Sequence, residues 1–442
     1  MVATRSRRSK SPARSSPART SPPARIKSPA KSSPARSAPA SSKSSSATYQ
    51  LTLIYLACFL DYFAVALVVP NLVHRWKALG VSPEALGLVQ SIYSGSQIVG
   101  GLLIGYLGDR GLGRKGVLLL SFAGAGVSYF LVGYADSVAL LALSRVVVGL
   151  VKQTQTCSTA LITAISSDGD RAKALGRLQS ASTLAFVVGQ SFGQLLIDNF
   201  GRSIPCYFAA SLYIVDFAVV YALLQVPKAA APPKKAAAAA AAAKGGGRLE
   251  GVRSAFRGEG GRVLAFRLAY AFLMRGTYMG HALYEKERWG YSGYLASYKT
   301  VLGLFVNSLV VGPLAAAFPE RALLLGALAV ACLNSASEAL HSSYIAYVAV
   351  NTLLATILSA VTRISLASLF SKSVPRESMG LVLGVFDVLS SACGVVAPLY
   401  GGIVTGRAGY GAQPLVAAGH FAVLTALATV LVPAPKGKAK AH

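Results

Sequence analysis

Six bases and four acids stand inside long apolar runs of this chain: Arg145, Lys152, Arg267, Arg275, Lys299, Arg363, and Asp61, Asp216, Glu338, Asp387. A charge at the centre of an apolar helix costs roughly 2.5–3.5 kcal/mol, so such groups face a partner or a watered cavity rather than lipid. A carboxyl there can take up and release a proton, and a guanidinium or ammonium can hold an anion or pair with an acid. Asp61, Arg145, Lys152, Arg275, Lys299, Arg363 and Asp387 are the candidates for such chemistry. Glu338 and Arg267 lie near the ends of their runs, where a long side chain can reach the interface.

Spacing groups several of them. Arg145, Gly149, Lys152 and Thr156 fall at offsets 0, 4, 7 and 11, one face of a continuous helix. That face is expected to line a cavity or to form an interhelical salt bridge, with Asp61 as one acid in reach. Thr352, Thr356, Ser359 and Arg363 share a second face, and Gly384, Asp387, Ser391 and Pro398 a third. Arg275, Lys299 and Arg363 together tilt the second half of the chain toward an anionic ligand.

Those residues need helices across a bilayer to position them. The chain has 442 residues, 53% hydrophobic and 13% charged, with mean hydropathy +0.52. Soluble globular proteins average about 25% charged. Twelve apolar segments are predicted, near 49–73, 84–108, 115–134, 137–165, 174–198, 203–226, 262–284, 291–318, 320–340, 343–370, 377–404 and 411–433. Each reaches the roughly 20 residues that a bilayer demands. The expected class is an all-α polytopic membrane protein. Residues 49–226 and 262–433 form two six-helix bundles joined by a cytoplasmic linker, 227–261, with a basic tail at 434–442.

Residues 1–48 repeat Ser-Pro-Ala-Arg, as at Ser11–Arg14 and Ser33–Arg36, and carry eleven bases and no acid. Such a segment is expected to be a disordered cytoplasmic tail. A surface drawn to anionic lipid or nucleic acid and a transit peptide are the other readings of that composition. With both termini in the cytoplasm, only Arg75, Lys77, Arg202, Lys286, Arg288 and Arg407 fall on the opposite side, which fixes an N-in, C-in orientation. Five cysteines lie in apolar runs without metal or disulfide spacing. Five scattered histidines and the lack of a Gly-x-x-x-x-Gly-Lys-Ser/Thr loop argue against a metal centre and against ATP as a drive. No cofactor is implied.

The turn Gly105–Lys115 joins the second and third segments and packs one acid, three bases and four glycines into eleven residues. The halves also echo each other. Ser167 to Arg171, Gly176 and Gly189 to Gly193 in the first are matched in order by Ser371 to Glu377, Gly380 and Ala397 to Gly402 in the second.

On these residues the chain resembles the major facilitator superfamily over 49–433, nearest its drug:proton antiporter branch and tetracycline-resistance-like eukaryotic members. Gly105, Asp109, Arg110, Gly113, Arg114 and Lys115 match the family's loop after the second span, with one extra residue at Gly111-Leu112. Arg145 and Gly149 match its fourth-span motif, though Val148 replaces the usual Gln. Gly189 and Gly193 keep part of the antiporter motif of span five, where Gln190 and Gln194 replace Pro and Gly. A fuller copy, with Pro398 and Gly401, lies in span eleven. The resemblance implies a proton-coupled secondary transporter of a small organic solute, or a facilitative uniporter of the same fold. It implies that Arg145 takes part in proton coupling and that an acid in span one can be a protonation or cation site; Asp61 or Asp387 with Arg145 is the expected route. It makes 105–115 a conformational latch against span eleven with Asp109 at its centre, and gives Gly149, Gly189, Gly193, Pro398 and Gly401 roles in helix packing. The expected partners are a small molecule, membrane lipid and protons, with a monomer and no nucleic acid. Two other classes fit the composition: a membrane-anchored protein whose basic tail binds lipid or chromatin, and a polytopic membrane enzyme.

Overall fold

Apolar runs bounded by Ser, Pro and Gly fold as helices throughout the computed structural model, which describes residues 40–167, 169–225, 258–290, 293–374 and 379–434. The side chains of 40–46, Asn71, Val73, His74, Asp109 and 379–381 fall outside that description. So do most of the basic tail 1–48 and the linker 227–261, and nearly all of 434–442. The unit described below spans residues 45–442.

The helices are α1 (Ala40–Ala78), α2 (Pro83–Leu107), α3 (Gly113–Tyr134), α4 (Val138–Val151), α5 (Thr154–Ile165), α6 (Arg171–Phe200) and α7 (Ile204–Leu223). After the linker come α8 (Glu259–Trp289), α9 (Gly293–Phe305), α10 (Val311–Ala317), α11 (Glu320–Glu338), α12 (Tyr344–Ala346), α13 (Leu353–Ser373), α14 (Met379–Ala408) and α15 (Gln413–Leu431). Short π-helical stretches occupy Gly108–Leu112, Val306–Val310 and Tyr347–Thr352. Starts are capped as local chemistry predicts: Ser82 Oγ accepts from the Ala85 N–H at 3.3 Å with Pro83 just inside, and Ser137 does the same for Leu140 at 3.4 Å. Gly290, at φ 62°, ends α8 in the left-handed conformation.

The described parts of the apolar segments are mainly helical, with short interruptions. Among the described residues, nine helical spans are long and apolar enough to cross a membrane. The long helices that miss that mark are α2, α8 and α11. Their polarity has a place to go: Gln90, Tyr93, Ser94 and Gln97 of α2, Arg275 and Glu285 of α8, and Asn334 and Glu338 of α11 all border cavities.

The largest apolar cluster draws on α1–α7, with Met279 and Leu283 reaching in from α8, while the remaining clusters belong to α8–α15. Small residues bring helix backbones together, as expected where lipid supplies no hydrophobic drive for helix association. A Cβ on Gly149 would lie 2.6 Å from Ser96 Cβ, and one on Gly193 would lie 2.6 Å from the Leu67 carbonyl oxygen. Gly189 meets Ala66 and Phe63 of α1, and Gly401 sits on Gly276 of α8.

The two helix sets join at one end. On α2, Gly87 faces the Pro398 carbonyl of α14, and a Cβ there would come within 2.3 Å of it. Gly293 of α9 faces the Gln190 carbonyl of α6 at 2.0 Å on the same measure. Side chains extend this seam. Ser191 donates to Ser297 Oγ at 2.7 Å, Gln194 Oε1 accepts from the Gly293 N–H at 3.0 Å, and Lys77 pairs with Glu287 at 3.3 Å. Toward the other end, a Cβ on Gly105 of α2 or Gly384 of α14 would meet nothing within 4 Å.

Candidate functional site

The span holding Arg145 and Lys152 is not one helix. It breaks at Lys152 and Gln153, where Lys152 is extended (φ −71°, ψ 95°). Ser121 of α3 makes the break tolerable: its hydroxyl donates to the Val151 carbonyl at 2.6 Å and accepts from the Gln153 N–H at 2.9 Å. Freed backbone groups in a membrane helix need such substitutes. The predicted single face of Arg145, Gly149, Lys152 and Thr156 therefore does not form, because the break redirects everything after Val151, and Thr156 is exposed.

The break swings Lys152 onto α1. Its ammonium pairs with Asp61, whose side chain is 0% exposed, and donates to the Tyr213 hydroxyl of α7 at 3.1 Å. Tyr213 in turn donates to the Asp61 backbone carbonyl at 3.2 Å. Asp216, one turn further along α7, is also fully buried, and neither of its carboxyl oxygens has a partner among the described residues. One ammonium thus serves a neighbourhood with two buried acids.

Arg145 takes a different route. Its guanidinium donates to Ser128 Oγ at 3.0 Å and Ser144 Oγ at 3.2 Å and lies 5.7 Å from the Tyr129 ring centre. It also borders a cavity of about 690 Å³ between α1, α2, α8 and α14. Arg275 enters that cavity from α8 and donates to the Ser390 carbonyl of α14. Arg145 and Arg275 are the charged groups of the lining, and Gln90, Tyr93, Ser94 and Gln97 supply neutral hydrogen-bonding groups. No acid borders this cavity among the described residues.

A second cavity, of about 540 Å³, lies among α8, α9, α11, α13 and α15. Met274, Tyr278 and Ala282 of α8 border both cavities, so α8 is the wall between them. Lys299 sits here, paired with Glu285, and the Tyr347 hydroxyl donates to the same carboxylate. His281 Nε2 lies 3.0 Å from Glu338 Oε2. Glu338 is buried at 4% exposure rather than reaching an interface. Thr352, Thr356 and Ser359 border this cavity, but Arg363, from the same predicted face, is exposed and borders neither. Asp387 is likewise exposed and outside both linings. Arg267 lies between the rings of Phe370 and Phe386, 4.6 and 4.0 Å from their centres.

The extra residue in the turn 105–115 appears as the π-helical stretch Gly108–Leu112. One inserted residue is what a π-bulge accommodates. It ends at Gly113, whose φ of 63° starts α3 in register. Arg114 then donates to the Ala160 carbonyl of α5 at 3.0 Å, and Lys115 to Tyr221 and Leu224 of α7 at 2.9 and 2.8 Å. Arg110 stacks over Tyr106 at 4.3 Å. These bonds tie Arg114 and Lys115 to α5 and to the end of α7. The side chain of Asp109 lies outside the described residues.

His281, Glu285, Tyr347 and Asn351 were not singled out by sequence. Tyr278, His281 and Glu285 sit at offsets 0, 3 and 7, a polar stripe that a longer reading of the 262–284 segment would have exposed.

Comparison with known proteins settles the family. The Major Facilitator Superfamily model matches residues 54–398. The chain belongs to that superfamily. It is a multi-pass integral membrane protein of a transporter family rather than an enzyme. Quinolone resistance protein NorA of Staphylococcus aureus is 29% identical over 180 residues, 40% of this chain and 46% of that protein. The chain thus aligns with about half the length of this relative. Human solute carrier family 67 member A1 is 25% identical over 368 residues, 81% of this chain and 85% of that one. Among solved structures, the human organic anion transporter MFSD10 (TETRAN) has TM-score 0.56 at 21% identity, covering 86% of this chain and 99% of that one. The nucleoside transporter NupG has TM-score 0.68 at 14% identity, covering 87% of this superfamily member and 99% of its own chain.

Proposed function

We propose that this superfamily member is a proton-coupled secondary transporter of small organic anions, working by alternating access. The observation that carries the substrate class is the pair Arg145 and Arg275 in one cavity whose lining holds no acid. A guanidinium pair with no acid beside it favours carboxylate or sulfonate groups and repels cations. MFSD10, whose fold this chain shares, is an organic anion transporter, in agreement with that chemistry. Lys299, paired with Glu285 across the α8 wall, is not part of the anion site.

In this reading twelve spans cross the membrane with both termini in the cytoplasm, as the distribution of bases favours. Residues 49–226 rock against 262–433 in a monomer, and the linker and tails are cytoplasmic. The seam at Gly87–Pro398 and Gly293–Gln190 is then the closed outer gate, and the ends around Gly105 and Gly384 open inward. The coupling proton binds Asp61. It is buried and holds Lys152 and Tyr213 in place, so protonating it releases an ammonium and unlocks the α4–α5 break. Asp387, exposed outside both cavities, has no such leverage.

The test is flux into liposomes containing the purified full-length protein under an imposed pH gradient. Benzoate uptake is expected to follow the gradient and to fall about tenfold or more in Arg145→Gln and in Arg275→Gln, the effect of losing a charge-assisted hydrogen bond. Uptake of neutral benzyl alcohol should not change. An equal fall for both compounds, or no dependence on the gradient, overturns the proposal.

The turn at 105–115 is assigned to the outward-open state, in which the inner ends of α2 and α14 meet. Asp109→Asn is expected to slow benzoate exchange severalfold while leaving the thermal unfolding midpoint unchanged. A normal exchange rate would reduce the turn to a topological role.

A further inference from the structure

The second cavity has unmet hydrogen-bonding capacity of one kind. Asn351, 2% exposed, uses its amide nitrogen fully: Nδ2 donates to the Asn334 carbonyl at 2.9 Å, to Asn334 Oδ1 at 3.3 Å and to Ser337 Oγ at 3.2 Å. Three acceptors around Nδ2 fix the orientation of the amide, since a flip would set oxygen against oxygen. Asn351 Oδ1 therefore points away from them, and it is buried without a partner among the described residues. Glu338, 4% exposed, stands one helical turn after Asn334 on α11. Its Oε2 is taken by His281, and its Oε1 is buried without a partner. Both residues border the cavity.

Leaving two such oxygens unmet is costly, and more so for the charged one. Both are acceptors, so what completes them is a donor, and a positively charged one best. The charges agree. Glu285 is neutralised by Lys299 and also receives the Tyr347 hydroxyl. Glu338 is the remaining acid of the lining, with the His281 imidazole against one oxygen and no partner among the described residues against the other. Its lining includes Tyr270, Tyr278, Tyr347 and Phe421, aromatic residues of the kind that attract cations. Among the described residues no group of three or more His, Cys, Asp or Glu gathers here to hold a metal ion.

We infer that the second cavity is a binding site for an organic ammonium group, held between the Glu338 carboxylate and the Asn351 side-chain carbonyl. The ammonium has two possible sources, a free amine or the far end of a substrate whose anionic group sits at Arg145 and Arg275 across Tyr278. Only the second source rests on the anion-transport reading.

The experiment measures calorimetric binding to the detergent-solubilised full chain with four probes of one shape: benzylammonium, benzyl alcohol, benzoate and 4-(aminomethyl)benzoate. Benzylammonium is expected to bind at least about tenfold more tightly than benzyl alcohol, and Glu338→Gln should remove that advantage. The variant's thermal unfolding midpoint and its benzoate affinity report whether it is folded. Arg275→Gln should weaken benzoate and leave benzylammonium unchanged. A zwitterion that binds more tightly than either parent, and loses affinity in both variants, identifies a two-ended substrate; a zwitterion no better than benzylammonium identifies a free amine. Equal affinity for benzylammonium and benzyl alcohol, or unchanged benzylammonium binding in folded Glu338→Gln, overturns the inference. Loss of benzoate binding alone in the wild type counts against the anion reading and leaves this site standing.

Discussion

Lys152→Met is expected to destabilise the purified protein more than any other single change at a described side chain, by about 3–5 kcal/mol, the range for removing one partner of a buried ion pair. The variant leaves the Asp61 carboxylate with no exposure, no cation, and Asp216 close enough to feel it. It also removes the donor to Tyr213, which packs against Phe122 and Tyr129 at ring separations of 6.3 and 5.7 Å. The loss is in the unpaired charge and not in the pair's net strength. Combining Lys152→Met with Asp61→Asn should therefore recover most of the stability, with a coupling energy well above 1 kcal/mol in a double-mutant cycle. The measurement is the unfolding midpoint in mild detergent for the four proteins of the cycle. Additive losses would show that Asp61 and Lys152 do not depend on each other.

Gly293→Leu is expected to abolish net transport while leaving a folded protein. A Cβ at that position already lies 2.0 Å from the Gln190 carbonyl and 2.9 Å from Gln194 Cβ, and backbone cannot give way as a flexible side chain can. A leucine forces α9 off α6 and keeps that end of the molecule open. Gly87→Leu acts the same way between α2 and α14, through Pro398. Cross-linking of a Lys77→Cys, Glu287→Cys pair reports the same seam, since the native side chains meet at 3.3 Å. Its yield should fall severalfold in either leucine variant. Gly326→Leu is the control, because nothing lies within 4 Å of a Cβ there. Wild-type cross-linking in Gly293→Leu would show that the seam tolerates separation of α6 and α9.

The helices were legible because each apolar run is long, and Ser, Pro and Gly mark the ends. What lay hidden depends on partners far away in the chain. Nothing local to Lys152 announces a break. Ser121, about thirty residues earlier, makes it affordable by bonding both sides of the gap. Treating the span as continuous put Thr156 on a face that does not exist. The extra residue at Gly111-Leu112 was visible, but its absorption by a π-helical stretch depends on where Gly113 turns the chain into α3. The acid end of α8 was cut off at residue 284, although Gly290 carries the usual stop signal and the helix runs to Trp289. That shortfall hid Glu285, and with it the grouping of His281, Lys299, Glu338 and Asn351 from four separate stretches. Arg145 and Arg275 were each legible as bases inside apolar runs. That they share one cavity, while Lys299 belongs to another, is a fact of helix packing.

The wall formed by α8 ties the two cavities to one quantity of space. Met274, Tyr278 and Ala282 present one side to each, so a shift of that helix that enlarges one volume diminishes the other. Filling either cavity is then felt in its neighbour through the same three side chains. Equilibrium linkage makes the effect equal in both directions, so a ligand that tightens or loosens the arginine side by some factor must itself be tightened or loosened by that factor from the glutamate side.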